Sequence, residues 1–194
     1  MDYTLILHNI SKHITLTEKE TTYFTSLLES KKLKAKKAIL QEGDICKHIW
    51  FVTKGCLRAF TVDKNGYEHV LQFAPSDWWM ADLYSFISQQ PGLLTIEALE
   101  ETDLVQLSKV DQDSLYQEVP KFERFFRVIA EKALVASQVR VLNNMSITAE
   151  ERYVLFCKQY PNLINSLPQK QIASYIGVTP EFLSKMRTQL LRNK

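Results

Sequence analysis

The spacing of apolar and polar positions changes character twice along this chain. Tyr23, Phe24, Leu27 and Leu28 recur at the interval of one helical face behind Thr17-Glu18-Lys19-Glu20, a Thr-x-x-Glu capping box, so the pattern predicts a helix ending near Ser30. From Ala38 the period shortens. Six β-rich runs follow, at 38–41, 48–53, 56–62, 67–73, 93–99 and 103–107, with turn residues at Glu42-Gly43-Asp44, Lys54-Gly55, Asp63-Lys64-Asn65-Gly66 and Pro75-Ser76-Asp77. Short strands at this spacing predict an antiparallel sandwich or barrel. The aromatic stretch from Trp78 to Ile87 reads as a short helix among them. After Ser108 the helical interval returns: 110–118 makes one helix, and Pro120 opens a long one with Phe122, Phe125, Phe126, Ile129, Ala133 and Ala136 along one stripe. Toward its end Leu134, Val135, Val139, Val141, Leu142 and Met145 make that helix apolar over more than one face. Two apolar faces ask for two neighbours, the β domain and a partner subunit, unless one chain covers both.

Thr148-Ala149-Glu150-Glu151 is a second capping box and predicts a helix running to Tyr160, before Pro161. The stretch from Gln169 to Arg187 then reads as helix, tight turn, helix. Ile172, Ala173 and Ile176 give the first helix an apolar face, Gly177 supplies the turn, and Thr179 caps a second helix opened by Pro180 and Glu181. In that second helix Phe182, Leu183 and Met186 are expected inward, and Glu181, Ser184, Lys185 and Arg187 outward. Such a polar face suits the major groove of DNA, whereas an ordinary αα-corner in a core would give the same spacing. The expected fold class is α+β, divided into a β domain at 1–118, a long dimerisation helix at 119–146 and a helix-turn-helix at 147–194.

Composition sharpens this in three places. The 194 residues carry a formal net charge of only +2, but Lys185, Arg187, Arg192 and Lys194 form a basic end without an acidic residue, which fits phosphate contact. Lys31, Lys32, Lys34, Lys36 and Lys37 read instead as a solvated edge. Cys46, Cys56 and Cys157 are scattered, without metal or disulfide spacing, and no apolar run or basic leader marks export or a membrane span. A cytoplasmic protein without membrane partner, metal or cofactor is expected. The absence of Gly-x-Ser-x-Gly, a phosphate loop or a His/Asp/Cys cluster argues against an enzyme.

The order of these segments resembles the Crp/Fnr family of bacterial transcription regulators. The resemblance rests on Leu40-Gln41-Glu42-Gly43-Asp44, the Val52 to Arg58 strand pair, Asp63 to Gly66, Ala98-Leu99-Glu100 and the stretch from Gln169 to Arg187; Trp78-Trp79 and Tyr160-Pro161 with Gln169 to Ala173 look like the subgroup of Bacteroidetes-type bacteria. It implies a cyclic nucleotide-binding-like jelly roll, a homodimer joined near Phe126, Ile129, Ala133 and Ala136, and a palindromic double-stranded DNA operator. It also implies contacts: Gln169 and Lys170 to phosphate, Thr179 as cap and phosphate donor beside Pro180, Glu181, Ser184 and Lys185 to base edges, and Arg187 to backbone or base.

The chain departs from the family where a cyclic nucleotide would sit. Family members that bind one use a Gly-Glu pair and, further on, an Arg; the matching positions here are Met80, Ala81 and Gly92-Leu93-Leu94, and no Arg lies between Asp82 and Asp103. Asp82 could replace the carboxylate by sliding one place. The expected effector pocket, Trp79, Met80, Ala81, Asp82, Tyr84, Gly92, Leu93 and Leu94, is therefore degenerate, and cyclic AMP is not expected to bind. No cysteine precedes Cys46 for an iron–sulfur cluster, and His48 and His69 read as ordinary strand histidines. An unidentified small-molecule effector and RNA polymerase remain open as partners. The hairpin before the helix-turn-helix looks reduced to 162–167, and only 188–194 remain where the family carries a wing. The rival reading is a cyclic-nucleotide or other small-ligand binding or interaction module that does not bind DNA.

Overall fold

Both capping boxes form. Thr17 accepts from the Glu20 amide while Glu20 accepts from the Thr17 amide, starting α2 (Glu18–Ser26), and Thr148 and Glu151 do the same for α6 (Ala149–Gln159). The computed structural model describes residues 2–192, with side chains to Gln189. The Arg192 side chain and Lys194, part of the expected basic end, lie outside the described residues.

The chain divides into two compact units, residues 1–61 with 72–131, and 62–71 with 132–194. The first holds a two-sheet antiparallel sandwich. One sheet has the order β1-β8-β3-β6 and the other β2-β7-β4-β5, from β1 (Glu29–Leu33), β2 (Ala38–Leu40), β3 (His48–Lys54), β4 (Cys56–Val62), β5 (Glu68–Pro75), β6 (Trp79–Met80), β7 (Thr95–Ala98) and β8 (Thr102–Ser108). Ile49 to Val52 of β3 are buried on both faces. Helices cover the face turned away from the other sheet: Phe122, Phe125 and Phe126 of α5 (Lys121–Ser146) pack with Phe24 of α2 and with Trp79. Gly55 turns β3 into β4 at φ 86, and a Cβ there would lie 2.6 Å from Thr102 Oγ1, so the position requires glycine for both conformation and space.

Three elements differ from the sequence reading. A helix precedes the first capping box, α1 (Thr4–Ser11); its cap residue Tyr3 makes no side-chain cap, but the Asp2 carboxylate accepts from the Thr4 amide at 2.8 Å, and burial of Ile6 and Ile10 holds the helix. The helix expected to reach Ser30 stops at Ser26, and the lysine-rich stretch after it becomes β1, paired with β8 from Glu29↔Gln106 to Leu33↔Thr102. Only Leu33 of β1 is buried, and exposed lysines on an edge strand discourage further pairing, which is the solvated edge expected. The stretch from Trp78 to Ile87 is not one helix. It forms the short strand β6 against Trp50 and Phe51, then α3 (Leu83–Ser88), because Asp82 takes an extended conformation and caps the Ser85 amide.

Ser108 caps α4 (Lys109–Glu118), and α5 carries the chain from the first unit to the second. The three cysteines are unpaired, and burial pushes the Cys56 thiol up to about 12. Among the described residues no helix is long and apolar enough to cross a membrane.

Candidate nucleic-acid interface

The second unit is built on an apolar seam. Tyr153 and Phe156 of α6, Ile172, Ala173 and Ile176 of α7 (Gln169–Ile176), and Leu183 and Met186 of α8 (Pro180–Arg192) are buried. Phe156, Tyr160 and Tyr175 rings meet at 5.3 to 5.7 Å. Between α7 and α8 Gly177 takes φ 73, its amide and that of Val178 returning to the end of α7. Thr179 Oγ1 then accepts from the Phe182 amide at 3.2 Å, which starts α8 two residues after the turn.

With Leu183 and Met186 inside, the helical period leaves Glu181, Ser184, Lys185 and Thr188 exposed on the opposite side of α8. Gln169, Lys170 and Thr179 are also exposed, and Pro180 is half-buried. α7 begins at Pro168 without a side-chain cap, so Gln169 and Lys170 stand where first-turn amides look for an acceptor. Two positions differ from expectation. Phe182, expected inside, is 50% exposed, because 100° of rotation separates it from Leu183 and puts it on the flank of the helix. Arg187 is half-buried, its guanidinium 5.9 Å over the Tyr153 ring.

Two arginines absent from the sequence reading fasten this unit. Arg140 of α5 donates to the carbonyls of Val70, Leu71 and Tyr175 and lies 4.4 Å over the Tyr175 ring. Arg152 of α6 donates to Ile176 O and Ile147 O, each at 2.8 Å. Ser174 joins the Arg140 clamp: it donates to Glu68 O at 2.6 Å and accepts from the Val70 amide at 2.9 Å. The hairpin between β4 and β5 is thereby hydrogen-bonded to α7. An arginine at an exposed-looking helical position and a serine in an apolar helix carry no pattern that would have singled them out.

The positions expected to line an effector pocket do not converge. Trp79 faces the helix layer, between Phe51, Phe125 and Phe126, with its indole N–H on Asn9. Met80 is buried in the core, Ala81 is half-buried, and Tyr84 is exposed on α3. Asp82, Gly92, Leu93 and Leu94 do meet. Asp82 is 1% exposed and accepts from the amides of Leu93 at 2.8 Å, Leu94 at 3.0 Å and Ser85 at 3.1 Å. Its carboxylate is thus turned inward onto the loop rather than outward as a sugar acceptor. Arg58 on β4 is buried and bonded to Glu97 through Nε at 2.8 Å and a terminal nitrogen at 2.7 Å.

On α5 the expected seam residues separate as well. Phe126 is 8% exposed inside the aromatic cluster of the first unit, and Ile129 packs against the same core, while Ala133 is half-buried and Ala136 exposed. The unpartnered apolar residues lie further on: Leu134, Val135, Val139, Val141, Leu142 and Met145.

Residues 30–119 match the family described as the cyclic nucleotide-binding domain. The regulatory protein HlyX of Actinobacillus pleuropneumoniae is 22% identical over 185 residues, 89% of this chain and 76% of that protein. Among solved structures, FixK2 from Bradyrhizobium japonicum superposes with a TM-score of 0.76 at 16% identity, covering 86% of this chain and 85% of that one. A putative transcriptional regulator of the Crp/Fnr family from Eubacterium rectale gives 0.70 at 16% identity, covering 92% and 85%. Residues 30–119 thus carry a cyclic nucleotide-binding domain, and the chain shares its fold with these regulators. That shared fold covers the order of sandwich, long helix and helix-turn-helix.

Proposed function

We propose that this chain is a DNA-binding transcription regulator that acts in the cytoplasm as a homodimer and reads a palindromic operator with α8. The observation that carries the reading is the exposed row Glu181, Ser184, Lys185 and Thr188, set on a helix whose other side is anchored by Leu183 and Met186. Lys185 can donate to guanine O6 and N7, Glu181 can accept from cytosine N4, and Ser184 can do either. Gln169 and Lys170 at the open start of α7, and Thr179 beside Pro180, serve phosphates. Arg187, placed over Tyr153, adds charge to the backbone rather than reading a base.

The dimer seam follows the exposed residues of α5. Leu134 and Val141, and Val135 and Leu142, stand seven residues apart, with Met145 continuing the stripe, which is the repeat two helices need to pack along each other. The seam therefore centres on 134–145, with Ala133 and Ala136 at its upper end. The sandwich does not take cyclic AMP: the amides of Leu93 and Leu94 are held by Asp82, and Arg58 is committed to Glu97.

Selection of bound duplexes from a random pool, with the chain mass in solution measured alongside, tests the reading. An inverted repeat with half-site centres about 10 bp apart and a particle of about twice the 22.5 kDa chain support it. No enrichment, with metabolite binding to the sandwich instead, would favour the ligand-binding module.

A further inference from the structure

Phe182 occupies a position that neither the core nor the polar face explains. It is the one large apolar residue of α7 and α8 that is at least half exposed among the described residues, and it sits in the first turn of α8, with its amide fixed by Thr179 Oγ1. Lys185 and Gln189, three and seven residues further on and both exposed, lie on the same side of the helix. Phe182 therefore begins a ridge that shares Lys185 with the base-reading row, on the end of the helix that enters a groove first. Polar groups in that row can distinguish guanine, cytosine and adenine by hydrogen bonds. Thymine presents an O4 acceptor and, alone among the four bases, an apolar group in the major groove, its 5-methyl group, which an aromatic ring can meet.

We propose that Phe182 is a specificity residue that packs against the 5-methyl group of a thymine in each half-site. The inference rests on the reading of α8 as the DNA-reading helix. Burying one methyl group against an apolar surface is worth about fourfold in affinity, and the ring, still half exposed in the protein alone, has apolar area left to bury. The contact also gives the otherwise hydrogen-bonding face of α8 a means of preferring thymine over cytosine at one position.

The experiment uses the full chain and the duplexes it selects. Each thymine of a half-site is replaced in turn by deoxyuridine, which pairs identically and lacks the methyl group, and affinity is measured for the wild type, Phe182→Ala and Phe182→Leu. At one position the wild type should lose about fourfold on the uracil duplex. Phe182→Ala should bind thymine and uracil duplexes alike, at the wild type's uracil level, and Phe182→Leu should regain discrimination. A wild type indifferent to every uracil substitution, a selected half-site without thymine, or a uracil penalty that survives in Phe182→Ala overturns the proposal while the DNA-binding reading stands. Failure to select any duplex overturns both, and shows at the first step.

Discussion

The loop that would hold an effector and the helix that would hold DNA treat their polar groups in opposite ways. Around Asp82 the chain satisfies itself: one buried carboxylate takes three backbone amides, and nearby Arg58 and Glu97 are paired within the sheet. On α8, Glu181, Ser184 and Lys185 are left facing water, and the buried residues behind them are all apolar. Polar groups that are internally matched hold structure, because their loss leaves a buried partner unsatisfied; polar groups left outside hold little structure and are available to a partner. Substitutions in the two regions should therefore separate stability from binding.

The largest effect belongs to Asp82→Ala. Three amides lose their acceptor, that of Ser85 buried and those of Leu93 and Leu94 partly so, and at roughly 1 kcal/mol each the unfolding free energy should fall by about 3 kcal/mol. Urea denaturation measures it, and DNA affinity under folded conditions should be unchanged. A fall below about 1 kcal/mol would mean that solvent replaces the carboxylate and that the loop is not held as described.

Next comes Arg140→Ala, which tests a region intermediate between the two. The guanidinium bonds three carbonyls of the second unit, so its loss should cost about 2 kcal/mol locally. The Val70 amide, donated to Ser174, should exchange with solvent faster, and amides in the sandwich core should not. Uniform acceleration would show that the hairpin does not open as a unit of its own.

How much of this was legible in the sequence depends on whether the decisive interaction is local. Capping boxes at Thr17 and Thr148, the turn at Gly177 and the cap at Thr179 each involve residues within a few positions, and all four appear where the pattern put them. The strand β1 was invisible because Glu-Ser-Lys-Lys-Leu has no β pattern of its own; pairing with β8, about seventy residues away, imposes it. In the second unit the helix α8 was readable, but Phe182 was expected inside because an aromatic beside Leu183 looks like core by composition, and a one-residue step around the helix places it outside. Phe126 departs in the opposite direction: expected at a seam between subunits, it is covered within the chain by Tyr116 of α4, Trp79 of β6 and Phe122 and Phe125 of its own helix. Asp82 was noticed, but whether its carboxylate turned in or out depended on amides ten and more residues ahead.

Lys185→Ala sharpens the other side of the comparison. Lys185 is exposed, and no partner within the chain constrains its ammonium among the described contacts, so unfolding free energy should stay within about 0.5 kcal/mol. Affinity for the selected duplex should fall roughly tenfold, about 1.4 kcal/mol, with the base preference relaxed at one position of each half-site. Equal losses on specific and random duplexes would make Lys185 a phosphate contact instead.

The smallest effect separates the two kinds of DNA contact within one interface. Lys170 stands in the first turn of α7, exposed and beside an uncapped helix start, where a phosphate would meet both its ammonium and the α7 amides. A phosphate contact carries no base information, so Lys170→Ala should weaken every duplex by about the same factor, roughly threefold, and leave the selected sequence untouched. Each phosphate neutralised by a lysine releases condensed counterions, so the slope of log affinity against log salt should flatten by about one per contact. Measured at several salt concentrations, wild type and variant should therefore converge as salt rises, whereas Lys185→Ala, having lost a base contact, should remain separated from the wild type throughout. A Lys170→Ala variant with an unchanged salt slope would place the start of α7 away from the backbone and leave α8 to hold the duplex alone.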